Sequence, residues 1–298
     1  MTKVLILGSN GLLGQNLVKR FTDHFQVVAA SLEPESYLAN IPVKYFPLDL
    51  KSRSDTYKKI EKVKPDIIIN AAAYTNVDGC EEDRENCWLV NVHAVENILD
   101  VADRINAIFV QVSTDYVFDG ERGDYREIDP PNPRGNYARS KLAAENIIRE
   151  SNVEYLIVRT QVLFGYGVNV RPNFALWVWD NLRQQKPIRV VTDQIGNPTY
   201  APDLAEGIYR LLDQETYGLF HISGPDQISR YDFAVEIART FDMDASLITP
   251  ITTEELNQKA PRPMNSTFKI DKLVNYTGWE PDPLNIALER FKKELETK

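Results

Sequence analysis

The chain opens on a short apolar run, Val4-Leu5-Ile6-Leu7, that breaks at once into Gly8-Ser9-Asn10-Gly11-Leu12-Leu13-Gly14. From Leu12 to Phe21 the apolar residues Leu13, Leu17, Val18 and Phe21 recur at helical spacing. A buried strand that turns through GxxGxxG into a helix is a strong constraint. The glycines let the backbone turn sharply and approach a pyrophosphate closely, and the helix N-terminus adds N–H donors and a partial positive charge. In that setting the motif predicts dinucleotide binding, with Gly8, Asn10, Gly11, Leu12 and Gly14 at the cofactor.

The same alternation continues. Val27–Ala30, Val43–Phe46, Asp66–Ile69, Ile108–Val112 and Tyr155–Val158 read as further strands, with long helices expected over 82–104 and 136–150. Near-continuous apolar strands separated by helices imply an α/β fold with a doubly wound parallel sheet, Rossmann-like, covered on both faces. After residue 160 the pattern loosens, prolines multiply and the helices look shorter, as over 231–241 and 284–294. The expectation is a dinucleotide-binding domain over 1–160 and a smaller C-terminal substrate-binding lobe over 161–298. Segments such as Ile188–Val191 and Leu204–Leu212 are expected to return toward the main sheet. The aromatic stripe Phe174, Trp177, Trp179 reads as helix packing or a subunit contact, with a substrate lid as the alternative.

Composition narrows the partners. At 298 residues and a formal net charge of −9, the chain is a poor candidate for nucleic acid, and an anionic ligand would need a local basic pocket. No stretch approaches the roughly 18 apolar residues of a membrane span, and the opening apolar run is too short for an export signal, so no membrane partner and a cytoplasmic setting are expected. The scattered histidines His24, His93 and His221 offer no metal site. On one helix, Cys80 and Cys87 would lie roughly 10 Å apart, so both are expected as reduced thiols.

An acidic residue at the end of the second strand bonds the ribose 2′-OH of NAD and repels the 2′-phosphate of NADP. Ser31 stands there, with Glu33 two residues on and no basic residue adjacent, which leaves NADP or NAD open with a lean to NADP or dual use. Asp49-Leu50 would lie near the adenine, and Ala71-Ala72-Ala73 would pass beside the cofactor.

Tyr137 and Lys141 are four apart, on one helix face. An ammonium beside a phenol favours the phenolate and is expected to lower the tyrosine pKa from about 10, giving a general acid or base. Ser113 and Thr114, at the carboxyl end of the fifth strand, could bond the same substrate oxygen.

These residues carry a resemblance. The chain is similar to extended short-chain dehydrogenases/reductases and more closely resembles the dTDP-4-dehydrorhamnose reductase family. The matching pieces are the early GxxGxxG, Pro65 to Asp78 (PDIIINAAAYTNVD), Ser113 to Gly120 (STDYVFDG), Tyr137 with Lys141 to Glu145, Arg159-Thr160, Asp193 to Thr199 (DQIGNPT), Arg262-Pro263 and Lys272-Leu273. The resemblance covers nearly the whole chain and implies NAD(P)H-dependent reduction of the 4-keto group of a nucleotide-diphospho-6-deoxysugar, dTDP-4-dehydro-L-rhamnose to dTDP-L-rhamnose. It implies that Ser113 or Thr114, Tyr137 and Lys141 carry catalysis and that Thr114, Asp115, Asn197 and Arg262 face the substrate. It assigns no residue of this chain to Mg²⁺, and a homodimer stays open.

Two positions depart from the family pattern. Ala138 stands where a glycine usually follows the tyrosine, and Val162 stands where the family often has a sugar-stacking tryptophan. Two other functions stay open: a regulatory subunit like the methionine adenosyltransferase beta subunit, which resembles the same family, and a nucleotide-sugar epimerase or dehydratase.

Overall fold

The computed structural model describes residues 1–297. Strand β1 (Lys3–Leu7) leads into helix α1 (Leu12–Phe21), and β2 (Gln26–Ser31), β3 (Lys44–Pro47), α2 (Arg53–Val63) and β4 (Ile67–Asn70) follow. Helices α3 (Gly79–Glu82), α4 (Arg84–Trp88) and α5 (Ala94–Ile105) precede β5 (Ile108–Thr114), α6 (Asn136–Glu150) and β6 (Tyr155–Thr160). These six strands and a seventh, Gly218–His221, make one all-parallel sheet in the order Gly218–His221, β6, β5, β4, β1, β2, β3.

Both faces of that sheet are buried, which explains why its strands read as unbroken apolar runs. In β1, Val4 and Ile6 face the core built with Leu17, Phe21, Val110 and Ile208, while Leu5 and Leu7 face the core built with Ile98, Phe109, Ile148 and Ile157. Helix α1 covers the first face together with α8 (Ala201–Asp213), and α2, α5 and α6 cover the second. The segment Leu204–Leu212 therefore packs on the main sheet as a helix.

The strand Ile188–Val191 does not reach the main sheet. It pairs with Ile248–Ile251 in a separate two-stranded parallel sheet. That pair shares a third core with α7 (Phe174–Arg183), α9 (Arg230–Thr240) and the helix Leu284–Glu296. Phe174 stacks on Phe233 with centroids 5.5 Å apart and Trp179 meets Phe241 at 6.3 Å, so these two serve helix packing, while Trp177 is exposed.

The single helix expected over 82–104 is broken. Asp83 leaves helical geometry (φ −122°, ψ 72°) and its carboxylate accepts from the Asn86 amide, which restarts the helix as α4. A wide π-type turn over Leu89–His93 then joins α4 to α5. The break corrects the expectation for the cysteines. With the helix interrupted between them, the Cα atoms of Cys80 and Cys87 are 5.3 Å apart and the two form a disulfide.

Candidate active site

The glycine turn sits at the carboxyl end of the sheet, and its geometry follows from its sequence. Gly8 has φ +77°, and a Cβ there would lie 2.7 Å from the Ala72 amide nitrogen, so a side chain is excluded. A Cβ at Gly14 would lie 2.6 Å from the Ser9 Cα, so this glycine lets α1 pack against the turn. Helix α1 starts from Gly11 with no side-chain cap and no acidic residue in its first turn, and Leu12 is its first residue. The Ser9 hydroxyl, in a residue 2% exposed, has no hydrogen-bond partner among the described residues. Free first-turn amides, a spare hydroxyl and small residues fit a dinucleotide pyrophosphate. Ala71 and Ala72 lie against Gly8, and Ala73 follows them along the same edge. Ser31 ends β2. Asp49 is exposed after β3, its carboxylate accepting from the Lys51 amide, and the Leu50 carbonyl accepts from Asn97.

The candidate pair Tyr137 and Lys141 stands on α6, and two other segments fix that helix. Glu81, from the turn the disulfide closes, accepts from the Asn136 amide (2.7 Å) and side chain at the α6 N-terminus. At the other end Glu145, fully buried, takes Arg159 as a bidentate partner (2.9 and 2.7 Å) and also Arg149 (2.8 Å). Tyr137, Lys141 and Glu145 thus form one stripe, i, i+4, i+8, pinned at both ends.

The structure separates the two hydroxyl candidates. Successive residues of β5 point in opposite directions. Ser113 donates to Glu145 Oε1 at 2.6 Å and belongs to the buried ion network. The Thr114 hydroxyl hydrogen-bonds Tyr137 and donates to Asp115 (3.0 Å), so Thr114 is the one at the phenol.

The electrostatics also differ from expectation. Burial holds the Tyr137 hydroxyl well above its ordinary value, outweighing the Thr114 hydrogen bond that lowers it. Lys141, 3% exposed, points its ammonium at the Val112 carbonyl (2.6 Å) and does not bring the phenol down. Burial lowers the Lys141 pKa to about 8, against the raising effect of Glu145. Tyr137 is therefore held protonated, a proton donor rather than a phenolate. Burial likewise raises Asp115 to about 6, opposed by hydrogen bonds from Ser266 (2.5 Å) and Thr114 and by the charge of Arg230.

Of the substrate-side residues, Asn197 does not present its amide to a ligand. It is 1% exposed; Nδ2 donates to the Gly224 carbonyl (3.0 Å), and Oδ1 accepts from the Phe268 amide (2.9 Å) and Gln161. It ties three chain segments together beneath the pocket. Arg262, its side chain 8% exposed, is held by Asp78 (3.0 Å) and the Ala260 carbonyl (2.9 Å). The residue that the sequence reading missed is Arg230, at the start of α9, which interacts electrostatically with Asp115, Tyr116 and Arg262. Nothing in the sequence sets it apart from the other arginines of the second lobe. Tyr116 closes the wall, edge-on to Tyr137 with centroids 5.8 Å apart. Val162 packs on the third core with φ +45°, a left-handed backbone that a β-branched side chain rarely adopts.

A cavity of about 650 Å³ opens elsewhere, lined by residues of α1, α8 and the helix Leu284–Glu296. Among its lining residues Arg20 pairs with Glu206, and Arg290 pairs with Asp203 and Asp282. Among the described residues no three His, Cys, Asp or Glu side chains gather as a metal site requires, and no helix is long and apolar enough to cross a membrane.

The family model described as RmlD substrate binding domain matches residues 1–297. A dTDP-4-dehydrorhamnose reductase of Aggregatibacter actinomycetemcomitans is 32% identical over 99% of this chain and 100% of its own length. The methionine adenosyltransferase 2 subunit beta of Xenopus tropicalis is 31% identical over 96% of this chain and 86% of its own. A crystal structure of dTDP-4-dehydrorhamnose reductase from Bacillus anthracis in complex with NADP is 31% identical, with a TM-score of 0.89 over 99% of this chain and 100% of that one. The chain belongs to the RmlD substrate binding domain family, and its fold and relatives are those of an NAD(P)-dependent oxidoreductase that reduces a sugar nucleotide.

Proposed function

We propose that this chain reduces the 4-keto group of a nucleotide-diphospho-6-deoxysugar, with dTDP-4-dehydro-L-rhamnose, giving dTDP-L-rhamnose, as the first substrate to test. The observation that carries the reading is the buried Tyr137 beside Thr114, one helical turn from Lys141 and near Asp115, Arg230 and Arg262.

When bound, the dihydronicotinamide supplies the hydride. The Thr114 hydroxyl, turned from Asp115 to the substrate, donates a hydrogen bond to the keto oxygen, and Tyr137 gives that oxygen its proton as negative charge develops there. A phenol that burial keeps protonated suits this direction. The Lys141 ammonium, one turn along the helix and held by the Val112 carbonyl, keeps further donors for the nicotinamide ribose. Asp115 accepts from a sugar hydroxyl. Arg230 and Arg262, two cations in an acidic protein, suit the diphosphate, whose charge the overall field would repel. Val162 offers less stacking surface than a tryptophan, which favours testing several 6-deoxysugars.

The test supplies dTDP-4-dehydro-L-rhamnose with NADH or NADPH and follows the loss of reduced-nicotinamide absorbance together with the product sugar. Stoichiometric cofactor consumption supports the reductase. Conversion of the sugar without net consumption would indicate an epimerase or dehydratase. The subunit-beta relative motivates a second arm: no turnover, together with tight association to a methionine adenosyltransferase, would replace the proposal with a regulatory role.

A further inference from the structure

We propose that Glu33 turns this chain's dinucleotide preference toward NAD(H), by holding a carboxylate where the 2′-phosphate of NADP(H) would have to sit. The inference rests on the dinucleotide reading above and sharpens it.

By position in the sequence Ser31, at the end of β2, is the residue expected to meet the adenosine ribose, and it is neutral. The fold brings a different side chain to that place. The chain after β2 bends back over the glycine turn and is clamped there by Asn10, itself 3% exposed. Asn10 Nδ2 donates to Glu33 Oε2 (3.1 Å) and to the Glu35 carbonyl (2.9 Å), and Asn10 Oδ1 accepts from the Tyr37 amide (3.0 Å). The Tyr45 hydroxyl, from β3, donates to the Glu33 carbonyl. Glu33 is therefore tied to the glycine turn, next to Ser31. It lies about 20 residues past the last glycine of the motif, the distance at which an acidic residue accepts from a ribose 2′-OH in dinucleotide folds.

The charge of this corner points the same way. Burial pushes the Glu33 carboxyl up, but hydrogen bonds from its own backbone, Ser31 and Asn10 outweigh it and hold the group below its ordinary value. It is ionised at neutral pH. Its hydrogen-bond partners are neutral, and residues 26–43 hold no Lys, Arg or His, while Glu35 adds a second carboxylate. A 2′-phosphate brought here would face an anion with no cation to receive it, whereas a 2′-hydroxyl would find an acceptor. The NADP in the Bacillus anthracis structure belongs to that protein's own ribose corner.

The experiment titrates the full chain with NADH and with NADPH by calorimetry, in parallel for the wild type, Glu33→Gln and Glu33→Ser. The wild type is expected to bind NADH roughly tenfold or more tightly than NADPH. Glu33→Gln keeps an acceptor for Asn10 and removes only the charge, so it should bring NADPH at least about fivefold closer to NADH, with an unchanged melting temperature. Glu33→Ser should close the gap further. Wild-type NADPH affinity equal to or above that for NADH, or an unmoved ratio in Glu33→Gln, would overturn the inference. Failure of both dinucleotides to bind the wild type would instead defeat the cofactor reading on which it stands.

Discussion

The two ends of the active site are built by different means. The cofactor end is made largely of backbone: a glycine turn, the start of α1 and three alanines, drawn from short contiguous stretches at 8–14 and 71–73. The sugar end is made of side chains from scattered segments: Asp78, Asp115, Tyr137, Arg230, Arg262 and Ser266. Backbone sites are specified by which residues are small enough to turn and approach, a local property. Side-chain sites depend on which distant segments the core brings together.

Substitutions at the sugar end should therefore damage chemistry and substrate binding while sparing the cofactor. The largest effect is expected from Tyr137→Phe, which removes the proton donor and should lower kcat by about 10³-fold. The NADH dissociation constant should stay within about twofold, a split read from steady-state kinetics and titration side by side. Loss of cofactor binding would show that the two ends are not separable.

Arg230→Gln and Arg262→Gln come next. Each should raise KM for the nucleotide sugar by roughly 30-fold, the worth of a charge-assisted contact to phosphate, with cofactor affinity unchanged. If only Arg262→Gln acts, Arg230 serves packing against Phe174 rather than the diphosphate.

The pH profile of kcat/KM should show limbs near 6 and near 8. Below about 6 Asp115 is protonated and loses its acceptor character; above about 8 Lys141 loses its charge, each limb falling about tenfold per unit. Asp115→Asn should abolish the acid limb alone. Glu145→Gln should move the alkaline limb downward, since the Glu145 charge is what raises Lys141.

The smallest effect belongs to the disulfide. Closing so short a loop is worth about 2 kcal/mol, so Cys87→Ser or full reduction should lower the melting temperature by roughly 5 °C. Because Cys80 and Cys87 pack against Tyr137, and Glu81 in the same turn holds the α6 N-terminus, kcat should fall modestly with it. An unchanged kcat would show that α6 is fixed by Glu145 and Arg159 alone.

Much of this was legible in the sequence because it was local. The period of the apolar residues located α1 and α6, whose helical bounds of 12–21 and 136–150 match the structure. The i, i+4 spacing of Tyr137 and Lys141 put both on one face whatever surrounds them. The seventh strand, Gly218–His221, was less visible. It is four residues long, and only its pairing with β6 makes it part of the sheet.

By itself the sequence determined the parallel sheet, the glycine turn and the catalytic helix face, because each follows from backbone sterics and side-chain periodicity within a few residues. Only the tertiary structure decided that Thr114 rather than Ser113 meets Tyr137, and that burial rather than Lys141 sets the phenol's charge state. It also decided that Asn197 is consumed by the chain, that the cysteines meet, that Arg230 comes beside Asp115, and that Glu33 is tied to the glycine turn. Those outcomes depend on desolvation and on contacts between residues far apart in sequence, and both exist only once the core has closed around them.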